Sequence, residues 1–177
     1  MDTATRLLDA AEARMRASGY HAVSFRDLAA DLGIKSASVH YYYPKKEALG
    51  AAVVDRYRED FVRVLEEALG GLSDPKDRLQ AVAGAFRQAL VDSDKICLCG
   101  VMGAEALGLP DSVRTELKRF IQQAVGMVEA IHDDAGAKDP HAQALLTIAS
   151  LEGAMILSVN LDDIAAFDRV ADALLDR

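Results

Sequence analysis

The chain has no tryptophan, two cysteines, four prolines and four histidines in 177 residues. Two cysteines exclude the disulfide framework by which small secreted domains make up for a thin core. Scarce proline leaves long stretches uninterrupted, which suits helices. Sustained apolar–polar alternation is missing, so no half-buried strand is expected. No apolar run of about 18 residues is evident, so no segment is expected to span a membrane. Met1-Asp2-Thr3-Ala4-Thr5-Arg6 lacks the apolar stretch of a secretory signal. These absences lead us to expect a cytoplasmic protein with reduced thiols. A nucleophile–base pattern, a metal motif and a Gly-rich phosphate loop are also missing, so neither an enzyme nor a cofactor or metal is expected. Zinc in particular needs about four ligands, and no histidines cluster near the cysteines.

What is present is 51% apolar residues, enough to bury a helical core, and a net charge of −8. The charge is uneven. Residues 1–50 hold seven Lys/Arg against six Asp/Glu, and residues 51–177 hold thirteen against twenty-two. An acidic body can turn the nearly neutral N-terminal part toward a polyanion, although acidity also serves solubility.

The densest signal lies in residues 24–49. Phe25, Leu28, Ala29 and Leu32 recur at helical spacing, with Ser24 and Asp27 as a capping pair ahead of them. Gly33 stands where the chain must turn sharply. Ile34 and Val39 can plug a second short helix onto the first, whose other face carries Lys35, Ser36, Ser38, His40 and Tyr41. An apolar inner face and a hydrogen-bonding outer face describe a helix-turn-helix whose second helix enters the DNA major groove. Of the three tyrosines Tyr41-Tyr42-Tyr43, the last is expected to pack inward.

Ser24-x-x-x-Leu28-Ala29-x-x-x-Gly33-Ile34, followed by Ser38-Val39-His40-Tyr41-Tyr42-Tyr43-Pro44-x-Lys46-Glu47-Ala48-Leu49, resembles the DNA-binding region of TetR-family regulators. The match covers roughly residues 5 to 55, and His40 departs from the tyrosine or phenylalanine more usual there. The resemblance implies a dimeric, all-α, ligand-responsive transcription factor, most often a repressor of a pseudo-palindromic double-stranded operator. It places phosphate contacts at Ser24, Tyr41 and Lys46. Arg26, Lys35, Ser36, Ser38, His40 and Tyr42 are further candidates for base or backbone contact.

Nine helices are expected, with an N-terminal helix-turn-helix domain over 1–48 and a ligand-binding and dimerisation domain over 49–177. The fourth helix should run from Pro44 to Leu69, about 39 Å at 1.5 Å per residue, and so link the two. A cavity for an unknown small-molecule effector is expected among helices four to eight. Its candidate lining is Tyr57, Phe61, Phe86, Met102, Glu105 and Phe120. Glu105 would cap the cavity, hold a ligand's polar group or form an internal salt bridge. His132 is expected as a cation at the end of the seventh helix. The eighth helix is apolar on more than one face and so must be covered on all sides. A second subunit is the expected cover, with Ala149, Gly153 and Phe167 at the homodimer interface.

Cys97 and Cys99 can be read as small core hydrophobes. Cys97-Leu98-x-Gly100-x-x-Gly103-x-Glu105 is also similar to the matching segment of electrophile-sensing members of the same family. On that reading Cys97 is the responsive thiol, activated by Lys95 against the opposing charge of Asp94. A helical adaptor that binds protein rather than DNA is the alternative of a different class.

Overall fold

A computed structural model describes residues 2–93 and 96–176. Among these residues there are nine α-helices, one short 3-10 turn and no strand. The helices are α1 (Thr3–Ser18), α2 (Phe25–Leu32), α3 (Ser36–Tyr42), α4 (Lys46–Leu69), α5 (Pro75–Ser93), α6 (Leu98–Ala104), α7 (Asp111–Asp134), α8 (Pro140–Leu161) and α9 (Ile164–Leu175). Helix α4 starts two residues later than expected, because Lys45 acts ahead of the first turn and its carbonyl accepts from the Ala48 and Leu49 amides. The expected sixth helix is instead α6 followed by the 3-10 turn Ala106–Gly108.

The chain divides into two compact units. The first joins residues 1–58 with 98–120, and the second joins 59–97 with 121–177. The division follows packing rather than chain order, so α4 and α7 each contribute residues to both units.

In the first unit, Asp2 caps α1 by accepting from the Thr5 amide at 2.8 Å. Leu7, Ala11 and Met15 line its fully buried face. α1 packs against α2 and α6, and α2 packs against α3. Leu98, Cys99 and Met102 are the buried side chains of α6. Ion pairs tie the surface together. Arg56 on α4 reaches Asp9 at 2.7 Å and Glu12 at 2.9 Å on α1, and the Arg14 guanidinium donates to both carboxylate oxygens of Asp31.

In the second unit, α8 and α9 form an extensive antiparallel pair, with α5 against both. Asp139 caps α8 and Asp163 caps α9. The α8–α9 turn places Asp162 at φ 52°, the one non-glycine positive φ among the described residues. Ala144, Thr147, Leu151, Ala154, Met155 and Ser158 form the buried face of α8. Leu145, Leu146, Ile156, Leu157, Val159 and Leu161 on the same helix are exposed. Among the described residues one helix, α8, is long and apolar enough to cross a membrane by length and composition alone. The core helix of a globular protein has the same length and composition, and α8 buries one face on α9 and α5.

Candidate nucleic-acid interface

The helix-turn-helix is built from local rules. The Ser24 hydroxyl accepts from the Asp27 amide at 3.2 Å and donates to the Asp27 carboxylate at 2.7 Å. That donated bond is the main reason the Asp27 carboxyl lies below its ordinary range. Gly33 then adopts φ 64°, and its amide closes onto the Ala30 carbonyl. A Cβ there would touch nothing within 4 Å, so the left-handed backbone, not space, selects glycine. Val39 is fully buried, which fixes the rotation of α3 and turns its opposite face outward.

That outward face carries Lys35, Ser36, His40, Tyr41 and Tyr42, all exposed, with Ser38 half-buried. Tyr41 is 81% exposed, and its ring meets Tyr42 edge-on at 5.1 Å. So large an aromatic surface is left in water on a helix whose other side is sealed. Tyr43 is half-buried. His40 is not loose: its ring packs edge-on to Phe25 at 4.8 Å, with Nδ1 3.4 Å from the Pro44 carbonyl. Arg26 is exposed at the start of α2, 3.6 Å from Asp27. A hollow of about 370 Å³ is lined by Thr3, Ile34, Ala37, Ser38, Tyr41 and Tyr42. Thr3 and Ala37 were not among the residues expected from sequence. Ala37 carries no polar group to single it out, and Thr3 reaches the hollow from α1 by tertiary packing.

Lys46 opens α4. Its ammonium donates to the His21 carbonyl at 3.1 Å and sits 4.5 Å above the Tyr20 ring. Partial burial lowers its pKa, and the charge of Glu105 opposes that shift. The cation expected at a phosphate therefore also braces the turn between α1 and α2.

The residues expected to line an effector cavity are divided between the units. Tyr57, Met102, Glu105 and Phe120 belong to the first, where the Tyr57 and Phe120 rings lie 5.9 Å apart. Phe61 and Phe86 belong to the second, edge-on at 5.6 Å. Glu105 Oε2 accepts from the Tyr20 amide at 2.7 Å, a backbone partner that the sequence reading did not foresee.

Cys97 and Cys99 are both buried thiols. Cys97 belongs to the second unit and bonds the Glu152 carboxyl of α8. Burial, then the proximity of Cys97, pushes the Glu152 pKa up to about 9, so it is a neutral acid at pH 7. Glu152 Oε2 is buried without a hydrogen-bond partner. A reactive thiolate favours an exposed, electropositive setting, and a buried thiol beside a carboxyl is the opposite. The residues expected to tune it, Lys95 and Asp94, lie outside the described residues. His132 stands in the last turn of α7, as expected, but burial lowers its pKa, and Nε2 pairs with the Thr147 hydroxyl at 3.0 Å.

Of the residues expected at a dimer interface, Ala149 is exposed, and a Cβ on Gly153 would meet nothing within 4 Å. Phe167 is 1% exposed in the single chain, so it fills the interior of the second unit and has no surface left to offer a partner.

The family model for bacterial regulatory proteins of the tetR family matches residues 7–53. That for the C-terminal domain of LmrA/YxaF-like transcriptional regulators matches residues 75–173. The HTH-type transcriptional repressor DhaR of Mycobacterium sp. (strain GP1) is 30% identical over 146 residues, covering 78% of this chain and 73% of DhaR. The crystal structure of a TetR transcriptional regulator from Legionella pneumophila superposes with a TM-score of 0.92 at 28% identity, covering 98% of this chain and 96% of that one. Reduced NemR from E. coli superposes with a TM-score of 0.84 over 98% of this chain and 95% of its own. At 19% identity that likeness shows the fold alone.

Proposed function

The chain belongs to the TetR family of bacterial regulatory proteins, and from that premise we propose that it represses transcription as a cytoplasmic homodimer bound to a pseudo-palindromic operator and released by a small-molecule effector. The observation that carries the DNA-binding reading is α3, with one side sealed by Val39 and the other presenting Lys35, Ser36, His40, Tyr41 and Tyr42 to solvent. Such a helix inserts its outer face in the major groove while flanking hydroxyls and cations hold phosphates. Residues 1–48 supply the DNA contacts, and the remainder supplies dimerisation and effector binding.

Dimerisation is supported by the exposed apolar side of α8, which water does not favour, and by the open approach at Gly153. A second copy packing α8 and α9 against their counterparts would form a four-helix bundle. The effector acts as a coupling free energy, about 1–3 kcal/mol in typical cases, by preferring a spacing of the two α3 helices that the operator does not accept. Helices α4 and α7 suit that task because each contributes residues to both units.

The test is binding to a duplex selected from a random pool by the wild-type protein. Lys35→Ala should weaken binding and lower the slope of log affinity against log salt by about one per lost phosphate contact, or about two per dimer. Selection of no duplex above background would reject the DNA-binding reading. An unchanged slope would remove Lys35 from the phosphate contacts.

A further inference from the structure

The turn between α1 and α2 is gripped from two directions by residues distant in sequence, all within the first unit. From one side comes Glu105, at the end of α6. Its Oε2 accepts the Tyr20 amide at 2.7 Å across 85 residues of chain. Its carboxylate lies against the bare Cα of Gly19, where a Cβ would stand 2.5 Å from Oε1 and 2.9 Å from Oε2. Gly19 also has φ 80°, so both backbone and contact require glycine. One turn further on, a Cβ on Gly108 would come 3.2 Å from His21 Nε2. From the other side comes α4. Lys46 bonds the His21 carbonyl and covers the Tyr20 ring, and a Cβ on Gly50 would stand 2.6 Å from that ring. Tyr20 itself is 4% exposed.

We propose that Glu105 is a positioning residue for operator binding: by holding the Tyr20 amide against α6 it sets the α1–α2 turn, and with it the entry into the helix-turn-helix and the seat of the Lys46 ammonium. The physical logic is one of leverage. The turn ends at Val23, one residue before the Ser24 cap of α2, so a shift of the turn is passed directly into α2 and α3. Lys46 bonds that same turn, so its ammonium shifts with it. The carboxylate attracts the ammonium as well, although the hydrogen bond to the Tyr20 amide is the direct restraint. Segment 98–108, far from the helix-turn-helix in sequence, is thereby part of the DNA-binding machinery.

The proposal rests on the DNA-binding reading above, and the wild-type protein tests that reading separately by binding its selected duplex. The test of Glu105 compares Glu105→Ala and Glu105→Gln with wild type, on that duplex and on calf thymus DNA, at a temperature where circular dichroism shows each protein folded. Non-specific binding depends on charge and little on geometry, whereas operator binding needs both. Glu105→Ala should lose about tenfold or more in operator affinity and little in calf thymus affinity, so the ratio of the two collapses. Glu105→Gln, whose amide oxygen still accepts from Tyr20, should recover most of the operator affinity. A folded Glu105→Ala that binds the operator as wild type does overturns the proposal, as does a Gln variant no better than Ala. Should Glu105→Ala not fold, hydrogen exchange on the wild type decides. A protected Tyr20 amide supports the restraint, and one exchanging as fast as a solvated turn amide overturns it.

Discussion

Glu152 shows how far one side chain can act against the fold that contains it. Its pKa is about 9 in the folded chain against an ordinary 4.5, with desolvation as the largest cause. Below pH 4.5 the group is protonated in both states and has no effect on stability. Between 4.5 and 9 the unfolded chain releases this proton and the folded chain keeps it, so stability falls as pH rises. At pH 7 the loss is on the order of 3 kcal/mol. Glu152→Gln removes the titration while keeping the shape. Its melting temperature should therefore exceed that of the wild type at pH 8, with the gap closing toward pH 5. Parallel melting curves over that range would show that Glu152 ionises normally. The second consequence concerns Cys97, whose thiol is buried against this neutral acid. The pairing favours the core role weighed for the cysteines over the sensor role.

At the scale of the element, α2 and α3 are short, eight and seven residues, and neither would persist alone in water. Each depends on its ends. Ser24 satisfies the Asp27 amide at the start of α2, and Gly33 closes its end in the left-handed region. Gly33→Ala meets no atom, so its cost is conformational, about 1 kcal/mol from forcing a side chain into that region. Urea unfolding should show that loss, and Gly33→Asn should lose less, because Asn tolerates the left-handed region better. A Gly33→Ala protein as stable as wild type would mean that the turn relaxes to another geometry. Helix α8 poses the reverse case. Its buried face on α9 and α5 accounts for only part of its apolar residues, and the remainder is exposed in the single chain.

For the whole molecule, that uncovered face is the basis of the proposed dimer. Gly153→Glu should break it, because a charge would enter a close helix–helix contact and lose its water. Sedimentation should move from dimer to monomer at micromolar concentration, with circular dichroism unchanged because Gly153 has open space within its own chain. A wild-type protein that sediments as a monomer would remove the four-helix bundle and, with it, the pseudo-palindromic operator. The two units do not follow the proposed division at residue 48. Packing groups α6 and the start of α7 with the DNA-binding helices, and α4 and α7 are shared.

The sequence alone determined the all-helical fold and the helix-turn-helix, because their instructions are local. A cap at Ser24, a left-handed glycine at Gly33 and a 3.6-residue apolar period act within a few residues of one another. The same locality made α3's outer face legible, since burying Val39 dictates which side chains point away. What depended on distant partners was left to the tertiary structure. Glu105 has one sequence environment compatible with a ligand contact, a salt bridge or a cap, and only packing across 85 residues assigns it the Tyr20 amide. Phe167 could be foreseen as apolar but not as turned inward. In α8, apolar residues on nearly every side leave no periodicity to say which face meets its own chain. Periodicity reports that a side chain must leave water, and the tertiary structure alone decides against what.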